Sequence, residues 1–552
     1  MADIDNNNKS TKQAARRPGR SLKNLLYANP LYALSLKGQS PQKLNLVPPA
    51  FHPGDPEAGR DLLAGRVSLD HYSITLNDDP WSGLPADATT ISRLHSFSWL
   101  ADLVSLGTAE ARALARRWIT LWIESHNGWE ETTWQPDIMG NRISAWLTAY
   151  AFLVGDEDED DAASFRNNLL RSISMQARHL GRTCSSVSVD SSAFRAIKGL
   201  IYAAVCLPGH DNLIVDAMDR LELDMSRQIL PDGGHFERNP TLQLDVLTHL
   251  IDIRSLLIES HTEVPTTLQG AIDRMAPMLR AMRHGDGGLA LFNGSFEGDR
   301  TQVDQALAQS EVRGKALTSA PHTGFQRLAN GRTVIIVDTG KPPLQKTHLV
   351  SHAGTLSFEM SVGKERFIVN CGSQIGKGPQ WKNALRATAA HSTLVVDNKN
   401  SSELHDDGSL GTGPTHVECQ RKESDGATWL DTGHNGYAEA FGLVHKRKFY
   451  LEPLGEDLRG EDILEGAGGT AFAIRFHLHP SVHASKAEGR NAVLLKLQGG
   501  SGWQFMASGG TISLEEDIYL GKAYEDRRTE QIVITGPLHG DGARIKWRLH
   551  KI

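Results

Sequence analysis

With 552 residues the chain is too long for one hydrophobic core, and two or three domains are expected. Its 39% hydrophobic and 22% charged residues mark an ordinary globular protein, and a net charge of -7 argues against a general nucleic-acid binder. No apolar run approaches the roughly 18 residues of a membrane span, so no transmembrane segment is expected.

Residues 1–23 carry Lys9, Lys12, Arg16, Arg17, Arg20 and Lys23 with almost no apolar side chains, the composition of a disordered basic arm. Leu25–Leu36 is interrupted by Asn29 and Pro30 and lacks a small-residue cleavage site. No secretory signal is therefore expected, and the cytoplasm is the default compartment, with the periplasm or cell envelope as the alternative. Residues 24–90 read as an N-terminal extension packed on the helices that follow.

From about 91 to 285 the pattern is helical, within a toroid expected over 91–315, and 286–320 reads as the crossover. Leu114, Trp118, Leu121 and Trp122 share one helix face, and similar segments occur near 92–106, 138–154, 162–180, 191–206, 211–229, 241–258 and 266–283. Short polar or Gly/Pro punctuation separates them, including the acidic stretch Asp156–Asp161. Helices of this length in succession predict an (α/α) toroid or solenoid of antiparallel hairpins. After about 320 the period becomes two. Thr333–Val337, Thr355–Met360, Phe367–Val369 and Thr393–Val396 read as strands. In Ala471–Leu478 the apolar Phe472, Ile474, Phe476 and Leu478 alternate with Arg475 and His477, predicting one buried and one polar face. The fold expected is therefore multidomain α and β: an N-terminal (α/α) toroid, then a C-terminal antiparallel β-sandwich over 316–552. The four cysteines, Cys184, Cys206, Cys371 and Cys419, lie far apart with no CxxC, which predicts neither a disulfide framework nor a thiolate zinc site.

Four groups of residues could carry chemistry. In Pro231–Pro240, PDGGHFERNP, Gly233 and Gly234 permit a tight turn. Asn239 and Pro240 form a cap and first position for the next helix. His235, Glu237 and Arg238 then stand before a helix N-terminus, an arrangement that suits an acidic substrate. Trp134 and Arg142, in GWEETTWQPDIMGNR, offer a stacking ring and a cation. In the β half, His352, the Asn370-Cys371-Gly372 segment, Arg386 and His391 could line a site or bind zinc. His434, Tyr437, His445 and Arg447 form the fourth group, expected at a polar rim.

Helices followed by strands, with SHAGTLSFEM, Asn370-Cys371-Gly372 and LRATAAHSTLVVD, resemble the heparinase II/III-like proteins from Leu94 to about Pro480. The resemblance implies a polysaccharide lyase that cleaves a uronic-acid-containing poly- or oligosaccharide by β-elimination in a cleft several sugars long. A cation or amide neutralises the uronate, a base takes the C5 proton, and an acid protonates the departing O4. It implies His235 as base, Arg238 as neutraliser, and His352 or Tyr437 assisting the leaving group. Trp134, Arg142, Glu237, Asn239 and Arg386 would contact substrate. No cofactor is required, although His352 and His391 resemble residues that hold a structural zinc in some members.

The sequence also departs from the family pattern. Ser191-Ser192 stand where members carry Asn-His, Thr241 and Leu242 follow Pro240 in place of Tyr, and Asn370 replaces a metal-position Asp. Tyr202 is a second candidate acid. Two other readings accompany the lyase: a hydrolase using Asp137 with Glu237, and a non-catalytic glycan-binding or envelope-associated protein on the same fold.

Overall fold

The structure is a computed structural model. It describes residues 18–69, 72–82, 88–155, 162–342, 351–373, 379–405, 409–487, 491–522 and 525–552. Of the basic arm, residues 1–17 lie outside the described residues, and 18–23 open the helix Pro18–Tyr27, whose Tyr27 ring meets Tyr32, Trp129 and His179. The acidic stretch Asp156–Asp161 also lies outside them.

The chain packs into two compact units. The first comprises Met1–Val67, Thr75–Ser186 and Arg195–Ala217 and is largely helical. Helix Ala109–His126 buries Ala111, Ala115, Trp118, Ile119 and Trp122, so its inner face is centred on Trp122, with Leu114 and Leu121 half-buried beside it. Helices Pro136–Thr148 and Ser192–Cys206 cross closely because both contacts are glycine. A Cβ on Gly140 would lie 2.2 Å from the Arg195 carbonyl oxygen, and one on Gly199 would lie 2.3 Å from Gly140 Cα.

Two of the expected helices are broken. The 92–106 segment divides into Ala88–Ser96 and Leu100–Leu106 around Phe97, which adopts φ +59. That turn sends a fully buried ring against Trp81, Trp99, Trp122 and Trp146, contacts that offset the backbone cost. The 138–154 segment divides at Ala149 into Pro136–Thr148 and Tyr150–Val154.

The second unit comprises Ser68–Ile74, Val187–Phe194 and Met218–Ile552. It contains helices Pro240–Glu259, Thr266–Ala281 and Arg300–Gln309, then the strands. After a hairpin of β1 (Arg66–Leu69) and β2 (Tyr72–Thr75) come β3 (Ser319–Ala320), β4 (Phe325–Asn330), β5 (Thr333–Asp338), β6 (Phe358–Val362), β7 (Glu365–Val369) and β8 (Leu394–Val396). These are followed by β9 (Val417–Ser424), β10 (Ala427–His434), β11 (Val444–Leu451), β12 (Asp457–Glu465), β13 (Ala471–Leu478) and β14 (His483–Lys486). The last are β15 (Ala492–Lys496), β16 (Gly502–Ser508), β17 (Thr511–Tyr519), β18 (Arg527–Pro537) and β19 (Ala543–Lys551).

Among the described residues one sheet runs β17-β18-β13-β7-β6-β5-β4-β3, with β8 also paired to β13, and the other runs β14-β15-β16-β19-β12-β11-β10-β9. Their named strand pairings are antiparallel. Phe358 of one sheet stacks on Trp547 of the other at 5.8 Å, inside a core that includes Phe449, Ile474, Phe476 and Phe505. On β13 the expected alternation holds for Phe472, Ile474, Phe476 and Leu478, all buried, and Arg475 is half-buried. His477 departs from it: it is 1% exposed, because Cys371 and Asp517 cover the other side of the strand at that point.

Candidate functional site

The Pro231–Pro240 segment is a docked turn. Gly233 has φ +84 and lies against the Arg274 carbonyl, and a Cβ on Gly234 would collide with Thr323. The Asp232 carboxylate accepts hydrogen bonds from the backbone of His322 and Thr323 and from the Thr323 hydroxyl. Asn239 caps helix Pro240–Glu259, its Oδ1 accepting from Thr241 N at 2.8 Å and Leu242 N at 3.1 Å.

This docking spends the side chains assigned to catalysis. His235 is 1% exposed; its Nε2 faces Gln228 Oε1 at 2.9 Å, and its Nδ1 lies 3.4 Å from Glu237 N and 3.5 Å from Glu237 Oε2. Glu237 Oε2 also accepts from Ser191 N at 3.3 Å. The Arg238 guanidinium donates to the carbonyls of Thr323 (2.7 Å), Lys341 (3.1 Å) and Gly324 (3.3 Å), and its NH2 group also contacts Asp338. It lies over the Phe325 ring at 4.9 Å. The cavity beside His235 and Arg238 measures about 10 Å³, space for a water molecule and not for a sugar. As a carboxylate neutraliser Arg238 is therefore already neutralised, by Asp338.

A second cluster joins His352, His391 and Arg386. His391 Nδ1 lies 2.8 Å from the Ala387 carbonyl, so it carries the proton, and its Nε2 is left to accept from His352 Nδ1 at 3.0 Å. His352 Nε2 then bears a lone pair. Burial, followed by the neighbouring His391 and Arg386, holds His352 well below the ordinary histidine pKa, so it is neutral at pH 7. Arg386 supports the loop from beneath: its Nε donates to the Ser351 carbonyl at 2.8 Å, and its own carbonyl accepts from Ala353 N.

These residues do not fit the structural zinc that the resemblance implies. The two facing imidazole nitrogens bond directly to each other. Asn370 spends both amide atoms on backbone, with Oδ1 on Ser392 N (3.0 Å) and Nδ2 on the Leu291 carbonyl (3.4 Å). Among the described residues no three-member His, Cys, Asp or Glu group includes this pair.

The remaining candidates are core residues. Tyr437 is fully buried and donates its hydroxyl to the Leu394 carbonyl at 2.8 Å; burial raises its pKa, the opposite of what a ready proton donor needs. His434, His445 and Arg447, expected at a rim, are inside the sandwich: Asp462 pairs with His445 and Arg447 there, and His434 bonds to His445. In the first unit Trp134 is 2% exposed, its indole donating to the His126 carbonyl. Arg142 is fully buried, bonded to Gln176, His95 and Thr133 and stacked 4.1 Å over Trp122. Tyr202 is likewise buried, and Asp137 lies in the first turn of helix Pro136–Thr148.

Sequence reasoning missed Asn293, the residue that joins the two clusters. Its Nδ2 donates to the Arg238 carbonyl (3.0 Å), its carbonyl accepts from Asn239 Nδ2 (2.8 Å), and its Oδ1 accepts from His352 N (3.1 Å). The only signal was Asn293-Gly294, a turn dipeptide, and Asn293 does adopt φ +51.

The family profile described as "Heparinase II/III-like, C-terminal" matches residues 312–548. Over 538 residues the chain is 30% identical to FtsZ-localized protein C of Caulobacter vibrioides, an alignment covering 93% of this chain and 91% of that protein. Among solved structures it is similar to heparinase III, with a TM-score of 0.74 at 14% identity over 97% of this chain and 91% of that one. It is also similar to a variant of a heparan sulfate lyase from Pedobacter heparinus, with a TM-score of 0.64 at 15% identity over 94% and 87%. Sharing that fold and that full-length relative, the chain belongs to the heparinase II/III-like family.

Proposed function

We propose that this chain is a non-catalytic member of its family that takes its place with FtsZ in the division apparatus. The observation that carries this reading is the closure of the expected lyase centre. Arg238 is consumed by Asp338 and three carbonyls, Tyr437 is sealed in the core, and the space beside His235 is about 10 Å³. The full-length relationship to FtsZ-localized protein C supports the cellular assignment. A fluorescent fusion of the full chain, imaged with labelled FtsZ, is expected to concentrate where FtsZ does; diffuse signal throughout the cell overturns the assignment.

One observation favours a second reading, a uronate lyase based on His352. The Ala387–His391–His352 chain leaves a neutral imidazole with a lone pair, as a general base requires. Incubation with heparan sulfate, alginate and other uronate polymers separates the two. Ultraviolet absorbance from an unsaturated uronate, abolished by His352→Ala, selects the lyase, and its absence across the panel favours the non-catalytic protein.

A further inference from the structure

A separate cluster in the β half brings together three different metal-binding chemistries. Cys371 follows β7, His477 lies on β13 and Asp517 on β17. His477 Nδ1 is 3.4 Å from Cys371 Sγ and 2.6 Å from Asp517 Oδ2, and the thiol is 3.8 Å from Asp517 Oδ1. All three donor atoms lie within 4.8 Å of one another. Cys371 is 3% and His477 1% exposed, and the Asp517 side chain is 7% exposed.

A thiol, an imidazole and a carboxylate also make up a nucleophilic triad, but the geometry here differs. A triad places thiol and carboxylate on opposite ring nitrogens, so that the imidazole relays a proton between them. In this protein both address Nδ1, and the buried Nε2 has no hydrogen-bond partner among the described residues. The three groups converge on a common point instead. Around a tetrahedral zinc, S, N and O donors stand roughly 3.4–3.7 Å apart. The two sulfur separations are already close to that range. The shorter N···O separation is that of a hydrogen bond, which opens when a cation displaces the shared proton.

We propose that Cys371, His477 and Asp517 form a three-residue zinc site, with solvent as the fourth ligand on the Asp517 side, that clamps three separate chain segments of the sandwich. The mixed S, N, O donor set suits Zn²⁺ better than Mg²⁺ or Ca²⁺, which require oxygen. The site is distinct from the His352–His391 pair, and it assigns Cys371 the metal role that the cysteine spacing alone argued against. It stands independently of the FtsZ assignment.

The test is Co²⁺ substitution in the metal-stripped full chain. One equivalent is expected to produce a thiolate-to-cobalt charge-transfer band, displaced by stoichiometric Zn²⁺. Cys371→Ser is expected to abolish the band, while Cys184→Ser, Cys206→Ser and Cys419→Ser retain it. No band in the parent protein, or a band that survives Cys371→Ser, overturns the proposal. If Cys371→Ser does not fold, Asp517→Asn keeps both shape and thiol. It is expected to weaken Zn²⁺ binding at least tenfold, and unchanged affinity overturns the proposal.

Discussion

Arg447 and Asp462 form a two-bond ion pair sealed inside the sandwich, with Nε on Oδ1 at 2.7 Å and NH2 on Oδ2 at 3.2 Å and neither side chain exposed. The remaining polar groups around it are satisfied. Arg447 NH1 donates to the carbonyls of Leu356 and Ser392, and Trp547 Nε1 donates to Asp462 at 2.8 Å. A proton order runs through the histidines: Gly436 N–H to His434 Nδ1, His434 Nε2–H to His445 Nδ1, and His445 Nε2–H to Asp462. Both imidazoles are thus neutral, and against the effect of burial the Arg447 charge with the His445 hydrogen bond holds the Asp462 carboxyl well below the usual carboxylate range.

Removing one partner from such a network strands a buried charge. Asp462→Ala is expected to destabilise the second unit by about 3–5 kcal/mol, read as a lower urea midpoint. An exposed pair such as Arg300–Asp304 serves as the control, and Asp304→Ala is expected to cost less than about 1 kcal/mol.

Tyr437→Phe separates structure from chemistry. Loss of the hydroxyl leaves the Leu394 carbonyl without that donor, at a cost of about 1–2 kcal/mol in urea unfolding. Any polymer cleavage or FtsZ localisation is expected to be unchanged at a temperature where the variant is folded.

His95 makes the first unit acid-sensitive. Its Nδ1 accepts from Trp122 Nε1 at 2.9 Å. Burial, then Arg142 and His126, hold its pKa down at about 3, against 6.5 for the free group. The unfolded chain therefore takes up a proton that the folded one refuses. This stability is complete above pH 6.5 and is lost as the pH falls toward 3. About 3 kcal/mol is expected to have gone by pH 4, followed by tryptophan fluorescence in urea. His95→Gln, which does not titrate, is expected to flatten that decline.

Gly140→Ala gains helix propensity of roughly 1 kcal/mol but places a methyl against the Arg195 carbonyl. The clash is against backbone, which cannot rotate aside, so a net loss of about 1–3 kcal/mol is expected by thermal unfolding. A rise in Tm would show that the helices separate at little cost.

The order of helices and strands was legible because periodicity reports which face of an element is apolar. Periodicity does not report what covers the opposite face, which is why His477 read as solvent-facing and is buried beneath Cys371 and Asp517. The burial of the 235–238 side chains escaped notice for a related reason. A His, a Glu and an Arg before a helix suggest chemistry, but Asp338, which consumes the arginine, lies a hundred residues further on and no local pattern announces it. The His352–His391 contact was legible only as two separate motifs, and Asn293, which fastens them to the 235–239 turn, looked like an ordinary turn residue.

The fastening at Asn293 bears on how such a fold changes occupation. Asn293 holds the Arg238 carbonyl and the His352 amide, Arg386 holds the Ser351 carbonyl, and His391 holds the Ala387 carbonyl. In each case at least one end of the tie is main chain, which is present whatever residue occupies the position. Ser351, His352 and Ala387, which contribute main chain to these ties, can therefore be exchanged one at a time while the ties persist. A lineage can drift from cutting sugars to another trade without passing through an unfolded ancestor.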